Sequence, residues 1–136
     1  MAPPLTVVEA ELDVAGVVAR LERALEEAGI AVFARIDHAA AARAVGLELP
    51  DEVVLVFGDP AVGTRLMQAD PRVGHDLPLR LLVWAQPGGR TAIGYRDPRG
   101  LDIDPGADPV PTILERMHGL LERLAHDAAS SEEIAG

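Results

Sequence analysis

The 136-residue sequence contains no cysteine. This absence excludes disulfide bonds, thiolate nucleophiles and cysteine-ligated metal centres, and it fits the reducing conditions of the cytoplasm. The sequence also lacks a run of about 18 consecutive apolar residues, which a membrane-spanning helix needs. Residues 1–4 carry no basic segment followed by a long apolar one, so no secretory signal is predicted. We therefore expect a soluble, cytoplasmic protein.

Aromatic and basic residues are both scarce. Only 3% of the residues are aromatic, and 12 basic side chains face 22 acidic ones, which gives a formal net charge of −10. Nucleic-acid-binding surfaces need basic patches for the phosphates and often aromatic rings for the bases. This acidic protein is therefore predicted to bind neither nucleic acid nor anionic membranes. Its core must be built mainly from Val, Leu, Ile and Ala.

The length of the chain predicts one domain. A chain of 136 residues can bury a single core and is too short for two large ones. We assign residues 1–127 to this domain. The small and acidic residues at 128–136 predict a flexible tail.

Hydrophobic periodicity predicts two long amphipathic helices, five strands and two short helices. The long helices cover residues 14–28, with Asp13 as N-cap, and residues 110–127, with Pro111 in the first turn. Strands are predicted where apolar and β-branched residues cluster between turn-forming residues, at 5–11, 30–36, 53–57, 77–85 and 90–95. The short helices are expected at 39–45 and 60–69, and loops at 70–74 and 96–109.

This order of elements favours an α+β fold. The short connections between most strands favour antiparallel pairing, and residues 77–85 and 90–95 form a predicted hairpin around Gln86-Pro87-Gly88-Gly89. Each long helix has one apolar face to bury. We therefore predict an antiparallel sheet with both long helices on one face, in a β-α-β(4)-α arrangement with short helices between strands.

Residues 58–64 reproduce the glycine spacing of a phosphate-binding P-loop but lack its chemistry. Thr64 stands where the phosphate-binding lysine belongs, and Arg65 stands where the magnesium-binding hydroxyl belongs. Asp59 followed by Pro60 is typical of a helix N-cap and first turn. A structural turn from strand to helix is therefore the preferred interpretation of this segment.

Three motifs in order along the chain carry a family resemblance. They are Ala34-Arg35-Ile36-Asp37-His38, Val56-Phe57-Gly58-Asp59-Pro60 with Gly63-Thr64-Arg65-Leu66-Met67, and Asp76-Leu77-Pro78-Leu79-Arg80. Together they resemble the bacterial and archaeal domain-of-unknown-function 302 family. The resemblance implies a TATA-binding-protein-like fold with a curved antiparallel sheet, helices on one face, and pairing as a homodimer. It implies no activity, because the family has no established biochemical function.

Polar residues of these motifs stand near the ends of predicted strands. If the loops converge, they form one patch of two histidines and three aspartates: Asp37, His38, Asp59, His75 and Asp76. Imidazole and carboxylate could bind a divalent metal, with His38 and His75 as candidate ligands, or could act in acid–base catalysis through Asp37, His38 and Asp76. No spacing typical of a metal motif is present, so we predict neither a metal nor a cofactor. The competing interpretation makes Asp37 and Asp59 helix caps.

The second long helix contains an isolated Glu-x-x-His pair, Glu115 and His118. Di-iron helix bundles use two such pairs together with further glutamates. Since only one pair occurs, we expect His118 and His126 on the solvated side of the helix rather than at a metal.

Several residues are candidates for a ligand pocket. Trp84 and Tyr95 stand late in the two hairpin strands and could flank one apolar site, although such residues more often serve as core or dimer contacts. With the residues of the second motif and its surroundings, the predicted ligand-binding set is Phe57, Gly58, Asp59, Pro60, Met67, His75, Trp84 and Tyr95.

Two functional hypotheses of different classes follow. The leading one is a homodimeric module that binds a small molecule or a partner, because no complete catalytic constellation is visible. Dimerisation is also favoured by the exposed outer edge of the hairpin. The alternative is a small enzyme, cofactor-independent or metal-assisted, that uses the Asp/His patch. The ligand, the partner and the pathway cannot be read from these residues.

Overall fold

The computed structural model describes residues 4–104, 106 and 108–130. Five strands are present: β1 (Leu5–Ala10), β2 (Ala31–Asp37), β3 (Glu52–Gly58), β4 (Leu79–Ala85) and β5 (Thr91–Arg96). Four α-helices accompany them: α1 (Val14–Glu27), α2 (His38–Ala44), α3 (Pro60–Ala69) and α4 (Val110–Ala129). Two 3₁₀ helices are also present: Pro71–Asp76 begins in the predicted loop 70–74 and extends two residues beyond it, and Pro98–Gly100 lies within the predicted loop 96–109.

The strands form one antiparallel sheet in the order β1-β5-β4-β3-β2. The predicted hairpin joins β4 to β5, and its turn uses Gly88 and Gly89 at φ of 87° and 81°, a region that glycine enters without steric cost. The predicted α+β class and antiparallel sheet are thereby confirmed.

The main core lies between one face of the sheet and the two long helices. In β3 the side chains alternate, so that Val53, Leu55 and Phe57 are buried while the residues between them are half-buried. Helix α1 contributes Val17 and Leu21, both fully buried, from the apolar stripe that the sequence periodicity predicts. Burying side chains of this size contributes about 1.5–3 kcal/mol each.

Helix α4 is longer than predicted. It ends at Ala129 rather than at residue 127, because Ala125 and Ala128 continue its apolar stripe and are buried in the main core. The first two residues of the predicted flexible tail are therefore helical, and residues 131–136 lie outside the described residues. None of the helices in the described ranges has the length and hydrophobicity needed to cross a membrane.

A second, smaller core joins α3, the first 3₁₀ helix and the first half of α4. Its buried members are Leu66, Val73, Ile103, Val110, Ile113, Leu114 and Met117. Leu79 at the start of β4 packs against both cores, so the small one is anchored to the end of the sheet. This arrangement places α3 and α4 on either side of a cavity.

Aspartate caps begin the short helices, as the competing interpretation of the Asp/His patch predicts. The Asp37 carboxylate accepts a hydrogen bond from the Ala40 amide at 2.8 Å, and the Asp59 carboxylate accepts one from the Ala61 amide at 2.9 Å. Each carboxylate satisfies an amide that the first helical turn leaves unpaired and lies at the positive end of the helix dipole.

The sheet face turned away from α1 and α4 exposes apolar side chains. The register places Leu5, Val7 and Ile36 on this face, and their exposed fractions are 39%, 47% and 44%. The ring of Trp84 lies on the same face against Gly94, where an added Cβ would come within 2.9 Å of it. An exposed apolar face of this kind is typical of a surface that binds another molecule.

Candidate functional site

 

Half of the predicted ligand-binding residues line a cavity that we call the α3–α4 pocket. The α3–α4 pocket has a volume of about 520 Å³. The pocket lies between α3, the first 3₁₀ helix, α4 and the adjoining ends of the sheet strands. It is lined by Ile30, Phe33, Gly58, Asp59, Pro60, Val62, Gly63, Thr64, Met67, Gly74, Leu77, Pro78, Leu79, Arg116, Met117 and Leu120.

Three glycines, Gly58, Gly63 and Gly74, line the α3–α4 pocket. A Cβ added to Gly63 would lie 3.9 Å from both Leu77 and Met67, which is ordinary contact distance and leaves space for a larger side chain beyond it. None of the three, Gly58, Gly63 or Gly74, has a positive φ, so their backbone conformations do not require glycine. Gly63 even costs about 0.5–1 kcal/mol relative to alanine inside a helix. The missing side chain of Gly63 leaves part of the pocket volume open.

The polar groups of the pocket are few and stand on its exposed side. Asp59, Thr64 and Arg116 are exposed. On α4, which also carries Arg116, Met117 is buried and Leu120 is half-buried. The Asp59 carboxylate is engaged as the N-cap of α3. The interior of the pocket is therefore apolar, and its charged groups lie where water can reach them.

A second cavity, which we call the sheet cleft, lies where β4 and β5 separate. Their pairing ends at Leu82 and Gly94, while β5 continues along β1 to Arg96 and β4 continues along β3 to Leu79. The cleft has a volume of about 590 Å³ and is lined from both faces of the sheet. Its lining includes His38, Asp76, Arg80, Tyr95, Arg96 and Asp97.

Tyr95 is the buried titratable residue of the sheet cleft, with an exposed fraction of 3%. Burial raises the pKa of its phenol, and the nearby carboxylates of Glu122 and Asp97 raise it further, while Arg99 opposes them. Each of these carboxylates would repel a phenolate. The phenol is therefore held in its neutral form and can donate a hydrogen bond.

A charged cluster ties the end of β5 to α4. Asp97 accepts hydrogen bonds from the Arg99 guanidinium, the shortest at 2.7 Å, and these bonds lower the pKa of the Asp97 carboxyl. The His118 side chain is only 21% exposed and stands 3.6 Å from both Asp97 and Glu122. The prediction that His118 lies on the solvated side is wrong, because this contact with the end of β5 covers it. His126 is exposed, as predicted.

The predicted single Asp/His patch does not form, and three of its five residues line two different cavities. His38 and Asp76 line the sheet cleft, whereas Asp59 lines the α3–α4 pocket. His75 is exposed on the 3₁₀ helix and lines neither cavity. Asp37 acts as the cap of α2. Within the described ranges, no three His, Asp or Glu side chains are grouped as metal ligands.

The predicted ligand-binding residues are divided as well. Gly58, Asp59, Pro60 and Met67 line the α3–α4 pocket. Phe57 does not, because the alternation of β3 turns it into the main core, where it is fully buried. Trp84 and Tyr95 do not flank one site, since Trp84 lies on the open face and Tyr95 packs in the core on the helix side.

Sequence reasoning missed most of the α3–α4 pocket. Phe33, Leu77, Arg116 and Leu120 come from segments far apart in the chain, and no local motif joins them. One signal was present in the sequence. Gly63 stands inside a predicted helix without a capping role, and a glycine at such a position often has a packing reason.

Comparisons with known proteins identify the family. The family model described as "Domain of unknown function DUF302" matches residues 6–124. The crystal structure of an uncharacterised conserved DUF302 protein from Bacillus stearothermophilus has a TM-score of 0.77 and 22% identity, and the match covers 93% of this chain and 98% of that one. At this identity the likeness concerns the fold.

Curated relatives from Brucella are similar over part of their length. Proteins named Fluoride-specific ion channel FluC 1 from Brucella suis and Brucella abortus are each 38% identical over 97 residues, which is 71% of this chain. The match spans 38% and 36% of those relatives. Because the family model matches most of the chain, this protein belongs to the DUF302 family.

Proposed function

We propose that the protein is a small-ligand-binding module whose site is the α3–α4 pocket. The observation that carries this proposal is an apolar cavity of about 520 Å³ with a few polar groups on its exposed side. Small-molecule sites have volumes of about 300–1,000 Å³ and this kind of lining. Burial of apolar ligand surface would drive binding at about 25 cal/mol per Å².

The test fills the pocket with a larger side chain at Gly63, whose backbone conformation does not require glycine. Gly63→Leu extends a side chain toward Leu77 and Met67 and should abolish binding of the uncharged fluorophore Nile red, measured by fluorescence titration. Gly119→Leu is the matched control, because Gly119 lies outside the pocket and its nearest neighbour is the flexible end of Arg123. Binding that survives in Gly63→Leu, or that is absent from the wild type, contradicts the proposal.

The module is a homodimer in this proposal. The exposed apolar residues Leu5, Val7 and Ile36 on the open sheet face support it, because such a face is covered in many oligomers. Light scattering at micromolar concentration should give twice the monomer mass of 14.4 kDa. A monomeric mass contradicts the dimer and leaves the pocket proposal standing.

A partnership with a fluoride-specific ion channel is a second candidate function. It is favoured by the Brucella relatives, which carry that name and contain a segment 38% identical to this chain. The test is co-purification of this protein with the Brucella suis relative in mild detergent. Failure to co-purify at micromolar concentration contradicts a stable partnership.

A small enzyme is the remaining alternative, favoured by the sheet cleft. The cleft brings His38 and Asp76 into one lining together with the neutral phenol of Tyr95, and such groups can act in proton transfer. In an enzyme, His38→Ala should lose turnover with an intact fold. If His38 has only a structural role, the same substitution should change stability alone.

A further inference from the structure

We infer that the α3–α4 pocket takes an amphipathic carboxylate, with its apolar body inside the pocket and its carboxylate at Arg116. This inference rests on the proposed function, because it assigns a ligand class to the same site. The side chains of the pocket interior are apolar and suit the apolar body of a ligand. Arg116 provides a cation on the exposed side.

The lining of the pocket separates an apolar interior from a charged entrance. Met117 and Leu120 face the interior from α4, and Leu77 and Val62 belong to the small core beside it. Transfer of a carboxylate into such surroundings would be costly. A ligand with one charged end must therefore leave that end at the exposed side, where Arg116 stands.

Arg116 is free to receive an anion. Among the described residues it forms no ion pair, while its neighbour Glu115 lies 3.7 Å from Arg99. A guanidinium binds a carboxylate with two parallel hydrogen bonds, and its hydrocarbon stem packs against apolar surface. Thr64, also exposed in the lining, is a further polar side chain of the pocket.

Asp59 is the charge that opposes a carboxylate. Its own carboxylate accepts the Ala61 amide hydrogen bond and lies at the positive end of α3. Part of its negative charge is therefore compensated within the helix. Because Asp59 is engaged as a cap while Arg116 forms no ion pair among the described residues, the pocket favours an anionic ligand end over a cationic one.

The test compares ligands that differ only in the charge of one end. Decanoate and decanol should both displace Nile red at neutral pH, and decanoate should do so about fivefold more tightly, since a partly exposed ion pair contributes up to about 1 kcal/mol. In Arg116→Gln this preference should disappear while decanol is unaffected. Arg123→Gln, an exposed arginine two turns along α4 that does not line the pocket, should keep it.

A charge reversal gives a second, independent measurement. In Arg116→Glu, decylammonium should displace Nile red more tightly than decanoate. Equal displacement by decanoate and decanol in the wild type, or a preference that persists in Arg116→Gln, overturns the carboxylate assignment while the pocket stands as a binding site. Failure of the wild type to bind Nile red, decanol and decanoate overturns the pocket and this inference together.

Discussion

At the scale of single residues, glycine decides how closely side chains approach the sheet. Gly94 in β5 has no side chain where the Trp84 ring lies, and an added Cβ would stand 2.9 Å from one ring carbon and 3.1 Å from another. Gly58 in β3 is less constrained, because the nearest atom to its added Cβ is 3.6 Å away. The same residue type therefore has different structural roles on two strands of one sheet.

Gly94→Ala should destabilise the protein by about 1–3 kcal/mol, because the added methyl forces the Trp84 ring to move. The measurement is the free energy of unfolding from urea denaturation. Gly58→Ala is the control and should change this free energy by less than Gly94→Ala does, since its added methyl meets only ordinary contacts. Equal effects of the two substitutions would contradict the steric explanation.

At the scale of elements, the segment after β5 is held to α4 by charge. Asp97 caps the second 3₁₀ helix through the Arg99 amide at 2.9 Å and pairs with the Arg99 side chain, which reaches Glu115 of α4. These bonds lower the pKa of Asp97 below its ordinary value. The contribution of this group to stability is therefore present above the ordinary carboxyl pKa and is lost as pH falls through the lowered one.

Asp97→Asn should destabilise the protein at neutral pH and have less effect in acid. We expect a loss of roughly 0.5–1 kcal/mol at neutral pH, discounted because the Asp97 side chain is 31% exposed and its pair is screened by water. The difference should persist near the ordinary carboxyl pKa of about 3.9 and shrink only as pH falls further, through the lowered pKa, where the wild-type carboxyl becomes protonated. Urea denaturation at neutral pH and across this acid range measures it, and a difference that grows toward acid would contradict the assignment.

Most elements were predictable from the sequence because their signals are local. The apolar stripe of α1, the caps Asp37 and Asp59, and the glycines of the β4–β5 turn all act within a few residues of themselves. The predicted end of α4 was wrong because Ala128 is buried in the main core, and an alanine in the sequence does not indicate whether it will be buried. His118 was misplaced because its partner Asp97 comes from another element.

At the scale of the whole molecule, the sheet has one covered face and one open face. Helices α1 and α4 bury the first, and Leu5, Val7 and Ile36 remain exposed on the second. Water contact with these side chains is unfavourable. The proposed homodimer would remove that contact by packing the open face against a second copy.

Ile36→Glu should shift the proposed dimer toward monomer, because it places a charge on the open face of each copy. Light scattering across a concentration series measures the shift. Ala19→Glu is the control, since Ala19 is exposed on α1 at the opposite side of the sheet, and it should leave the mass unchanged. An unchanged mass in Ile36→Glu would exclude this face as the interface.

The sequence by itself determined the class of fold, the order of the elements and the turn at Gly58-Asp59-Pro60. These features follow from hydrophobic periodicity, capping and turn chemistry, which act over short distances along the chain. Only the tertiary structure decided that the Asp/His residues do not converge on one patch and that Arg116 lines the α3–α4 pocket. The reason is that a cavity is formed by side chains from distant segments, whose meeting depends on how the helices pack against the sheet.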